Sequence, residues 1–116
     1  MVQSSWSASG NAADTGQSGL LPAKLTPEER IGRGRAALDK LRKSIQDVDA
    51  TTGQKRGQAY RRANSQGLAV NNALAAMANP RTNRHGATEA EKREAQAILD
   101  EAIRLYHDAW RRHHPG

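Results

Sequence analysis

The side chains in this sequence best suited to chemistry are His107, Asp108, His113 and His114, all donors that a zinc or nickel ion accepts. Such an ion needs ligands converging on one point and held from behind. These four straddle the end of a helical pattern, which reads as a basic tail, with Asp108 and Arg112 spaced for an ion pair one turn apart. Glu28, Glu29, Glu89 and Glu91 resemble paired carboxylates for acid–base work. Each falls in a first helical turn, where a carboxylate completes a cap or faces unsatisfied amides. The run Gly53-Gln54-Lys55-Arg56-Gly57 sets a lysine among glycines but lacks the preceding strand and the full spacing of a phosphate loop. With no cysteine and no nucleophile beside a base, the expectation is a protein that is not an enzyme, with no catalytic residue, metal or cofactor.

Charge is distributed unevenly. Between Thr51 and Gly86 stand Lys55, Arg56, Arg61, Arg62, Arg81 and Arg84 without one Asp or Glu, which equals the net charge of +6. Within that stretch Ala63 to Asn79 carries no charge at all. A helix that is charged at one end and neutral at the other has two different neighbours.

The elements that must position these residues are helices. Thr26, Pro27 and Glu29 form an N-cap, a first-turn proline and a capping box, and Ile31, Gly34, Leu38, Leu41, Ile45 and Val48 then recur every three or four residues along one face. Thr51 and Gln54 read as a second capping box, followed by a seam of Tyr60, Ala63, Gly67, Val70, Leu74 and Met77 that stops at Asn79-Pro80. Thr88 and Glu91 open a third helix with the broader face Ala95, Ile98, Leu99, Ala102, Leu105, Tyr106 and Ala109, with Trp110 at its margin. The prediction is an all-α fold, a three-helix up-down-up bundle with helices at about 27–48, 52–78 and 89–112, behind a flexible low-complexity N-terminal tail over 1–25. Trp6, Leu20 and Leu21 are the anchors of that tail.

This topology gathers Lys40, Arg42, Lys43, Lys55, Arg56, Arg61, Arg62, Arg104, Arg111 and Arg112 toward one pole, against Asp39, Asp47, Asp49 and Asp108. Two readings stand: a polyanion-binding surface, with Tyr60 in reach to stack on a base, or a solvated face whose cations complement helix ends. The start of the second helix, with Lys55, Arg56, Gln58, Arg61, Arg62 and Asn64, weakly resembles a recognition helix, but its charges circle the helix.

The 16 Leu, Ile and Val residues, with no Phe, make a thin, alanine-dominated core. A protein partner or self-association would make up the deficit. The expected contact is the neutral half of the second helix, around Gly67, Val70, Asn71, Asn72, Leu74, Ala76 and Met77, where small residues permit close approach. The bland alternative is that this helix is simply the most buried of its own bundle. No stretch has the ~20 apolar residues of a membrane span, and the N-terminus lacks the features of a secretion signal, so the expectation is a cytoplasmic protein or one within a particle assembled there. The functional expectation is a helical interaction or structural protein, an adaptor or a component of a larger assembly such as a phage particle. The alternatives are a basic nucleic-acid-binding accessory protein and a small inhibitor that docks on another enzyme.

Overall fold

A computed structural model describes residues 25–114, and these form three α-helices: α1 (Pro27–Ala50), α2 (Gly53–Ala78) and α3 (Glu89–His113). They make an all-α up-down-up bundle, 44 × 27 × 22 Å along its principal axes. The expected tail anchors Trp6, Leu20 and Leu21 lie outside the described residues.

Two of the three expected helix starts have the expected chemistry. Thr26 accepts from the Glu29 amide while Glu29 accepts from the Thr26 amide, and Thr88 and Glu91 do the same. The third differs. The N-cap of α2 is Thr52, with no side-chain hydrogen bond, and Thr51 instead closes α1, donating from its hydroxyl to the Asp47 carbonyl at 2.6 Å. The hairpin is tighter than a Thr51–Gln54 box allows because Gly53 takes φ +57°, a left-handed conformation that costs glycine little. The chain therefore reverses over two threonines and enters α2 on a glycine.

The core follows the three- and four-residue spacing. Leu41, Val48, Ala63, Val70, Leu74, Ala95 and Ala109 are wholly buried, and Ile31, Leu38, Ile45, Ile98 and Tyr106 nearly so. Alanine matters here for proximity: its small side chain lets the helices approach, and Gly34 takes this furthest, with Leu74 filling the space that a side chain there would need. Of the three pairs of helices, α1 and α2 pack together most extensively. Two long cations are buried with them. Arg30 reaches the Ala73 carbonyl at 3.5 Å, and the Lys92 ammonium donates to the Thr82 carbonyl, tying the loop between α2 and α3 onto α3.

Candidate functional site

The flank of α1 that faces α3 is an ion-pair ladder. Arg35 pairs with Glu94, Arg42 with Glu101 at 3.3 Å, and Asp49 with Arg112 at 2.9 Å. Arg35, Arg42 and Asp49 are seven residues apart along α1, and their partners on the roughly parallel α3 follow at seven residues from Glu94 to Glu101 and at eleven from Glu101 to Arg112, so the first two rungs are two turns apart on both helices and the third is one turn further along α3. The spacing was present in the sequence, where Glu94 could have been matched to Arg35 once the two helices were set side by side.

At the pole the ladder meets an aromatic cluster. Tyr60 stands edge-on to Tyr106 and Trp110, with ring centres 6.1 and 5.5 Å away, and its hydroxyl donates to the Ala109 carbonyl at 3.2 Å. Burial pushes the hydroxyls of Tyr60 and Tyr106 up from the ordinary tyrosine value. The His114 ring stacks on Trp110 at 3.7 Å. Tyr60 is thus engaged within its own bundle, where a ring free to stack on a base was one expectation. Asp49 accepts three hydrogen bonds from Arg112, one from Nε and two from Nη2, and lies 2.7 Å from His113 Nε2. Burial alone would raise its carboxyl, but the hydrogen bonds from His113 and Arg112 outweigh this and hold it below the usual range.

Six of the ten cations of the expected basic pole are engaged within the bundle itself. Arg42, Arg62, Arg104, Arg111 and Arg112 are paired with carboxylates, and Arg56 donates to the Val48 carbonyl at 3.0 Å. Lys43, Lys55 and Arg61 are exposed, and Lys40 lies midway along α1 on the side of α2. Asp108 pairs with Arg104 and Arg111, while Arg112 is drawn across to Asp49, so the expected Asp108–Arg112 pair does not form. The histidines also have separate neighbours: His113 lies at Asp49 and His114 at Trp110, while His107 Nε2 is buried without a hydrogen-bond partner among the described residues. Among the described residues no three His, Asp or Glu side chains gather as a metal ion requires.

The neutral half of α2 divides between two environments. Gly67, Val70, Leu74 and Met77 are buried in the bundle's own core, Asn71 and Asn72 are half-buried, and Ala76 is exposed. Between that outer face and α1 runs a groove of about 240 Å³ lined by Arg33, Ala36, Ala37, Lys40, Gln66, Ala69, Asn72 and Ala73. Its walls are methyl groups and two amides, with a cation from α1 toward each end. The Asn72 side-chain oxygen is buried and accepts no hydrogen bond from the described residues. Ala69 and Ala73 belong to the small-residue pattern of the sequence, but no sequence pattern singles out Arg33, since its place opposite α2 follows only from the helix pairing. Among the described residues no helix is long and apolar enough to cross a membrane. Comparison with protein-family models, curated proteins and solved structures found no match.

Proposed function

We propose that the bundle is a non-enzymatic interaction module, a helical adaptor or a structural component of a larger assembly, that engages a protein partner across the α1–α2 face. The observation that carries this reading is the groove over Ala36, Ala37, Ala69 and Ala73, beside a helix whose outer face has no charge from Ala63 to Asn79. A solvated helical face ordinarily carries charge, and a contact face of alanines admits another backbone closely. The titratable groups elsewhere hold the fold: Glu29 and Glu91 cap helices, and Glu101 and Asp49 join α1 to α3.

The test is capture of partners from the native source with nuclease present, comparing the wild type with Ala69→Glu. Ala69 is exposed on a helix, so the substitution should leave the circular dichroism unchanged while filling the groove. Proteins retained by the wild type and lost by the variant support the reading. Equal retention by both moves the contact elsewhere, and loss of all partners on nuclease treatment favours the exposed cations Lys43, Lys55 and Arg61 and a nucleic-acid ligand.

A further inference from the structure

The two flanks of α1 repeat one pattern with different outcomes. On the α3 side, Arg35, Arg42 and Asp49 each meet an opposite charge. On the α2 side, Arg33, Lys40 and Asp47 have the same seven-residue spacing, but only Asp47 is answered, by Arg62 at 3.3 Å. Seven and fourteen residues beyond Arg62, α2 offers Ala69 and Ala76 where carboxylates would complete the ladder. Glu29, one turn before Arg33, is hydrogen-bonded in the cap with Thr26 and acts on Arg33 only through its charge, without an ion-pair contact. Among the described residues Arg33 and Lys40 therefore make no ion pair, and they stand about 10.5 Å apart along the axis over a groove floored by alanine.

We infer that this groove receives a helix from a protein partner, one that presents two carboxylates seven residues apart to Arg33 and Lys40 above a stripe of small or aliphatic side chains. This rests on the interaction reading above and specifies its partner. A helix running along α1 repeats its side chains at the interval at which the two cations recur, and the alanine floor permits interaxial distances near the short end of the ~8–10 Å range. The charge arrangement and the floor call for different parts of one ligand, acidic at its edges and apolar along its contact line. A nucleic acid supplies the first without the second: phosphates seek an exposed row of cations, and they bring no donor to the unpartnered Asn72 oxygen. A partner side chain that donates a hydrogen bond would satisfy it.

The experiment uses the full chain and two designed peptides that differ at two positions. Both are capped 24-residue helices with an Ala/Leu stripe; one carries Glu at two stripe-edge positions seven residues apart, the other Lys. Binding is followed by fluorescence anisotropy, with helicity of every protein variant checked by circular dichroism. The Glu peptide should bind in preference to the Lys peptide, and Arg33→Gln with Lys40→Gln should weaken it about tenfold, as two partly exposed pairs allow. The doubly reversed variant, Arg33→Glu with Lys40→Glu, should prefer the Lys peptide. Moving one Glu by two residues should cost as much as removing it. Equal binding of both peptides to the wild type overturns the carboxylate requirement while leaving the groove as a contact face. Binding of neither peptide, or an unchanged preference in the reversed variant, overturns the inference outright. So does a 20-base-pair duplex that binds the wild type and loses its affinity on the same two Gln substitutions.

Discussion

Two glycines two residues apart in α1, Gly32 and Gly34, should respond to the same substitution with opposite signs. An alanine methyl at Gly32 meets nothing within 4 Å, so Gly32→Ala gains the helix propensity difference of about 1 kcal/mol without a packing cost. A methyl at Gly34 would lie 2.7 Å from Leu74 Cγ and closer still to one of its methyls. Carbon atoms in contact prefer roughly 3.5–4.0 Å, so the neighbour must retreat by about 1 Å. Leu74 is fully buried and has no solvent to retreat into. Overpacking of this kind costs about 1–3 kcal/mol, which exceeds the propensity gain and leaves Gly34→Ala about 1 kcal/mol less stable than the wild type.

The variants should therefore differ by about 2 kcal/mol, or roughly 8–16 °C in melting temperature for a domain of this size. Urea and thermal unfolding followed at 222 nm measure both, and unchanged urea dependence shows that the folded state is being compared with a similar unfolded one. A second measurement isolates the cause. In a Leu74→Ala background, held folded with an osmolyte, the obstructing side chain is gone and Gly34→Ala should turn stabilising. If Gly34→Ala instead stabilises the wild type as much as Gly32→Ala does, the close approach of α1 and α2 at Leu74 is wrong, and with it the tight seam beneath the proposed groove.

The Asp49 carboxyl is held below its ordinary value of 3.8, so its contribution to stability is complete above about pH 4 and is lost as pH falls through the depressed folded value; Asp49→Asn should flatten the fall in melting temperature below pH 4. Asn72→Ala should raise the stability of the isolated protein by about 1 kcal/mol in the same unfolding assay, because it removes an unpartnered buried acceptor and substitutes the best helix former. A loss of stability there would mean that the Asn72 oxygen has a partner within its own chain.

The fold was legible because each helix announces itself locally. Thr26-Pro27-Glu28-Glu29 and Thr88-Glu89-Ala90-Glu91 are complete start signals, and the apolar spacing from Ile31 to Val48 admits one buried face. The hairpin is less legible because Thr51 and Thr52 are adjacent and either could stand at the N-cap position; Gly53, with its left-handed backbone, leaves Thr52 there without a side-chain hydrogen bond and begins α2 one residue later than expected. The ion pairs were harder to read because they depend on the register between helices. Arg112 has Asp108 one turn away in its own helix, a pairing that the sequence suggests, and Asp49 across the bundle, a pairing visible only once α1 and α3 lie side by side.

The same dependence on register separates the cations that hold the fold from those available to a partner. Counted along the chain, Arg33, Arg35, Lys40 and Arg42 are four similar charges in ten residues. On the helix they divide into two rows, Arg35 and Arg42 facing the carboxylates of α3, Arg33 and Lys40 facing a helix that has none. Exposed ion pairs contribute little to stability singly, typically under ~1 kcal/mol, so the second row was not needed to close the bundle. What the two rows do differ in is the company each cation keeps. A carboxylate brought to Arg33 or Lys40 displaces no ion pair among the described residues and meets only the charge of Glu29 near Arg33, whereas one brought to Arg35 or Arg42 must compete with Glu94 or Glu101 already in place. An acidic ligand should accordingly favour the α2 side of α1, although the two rows carry the same charge.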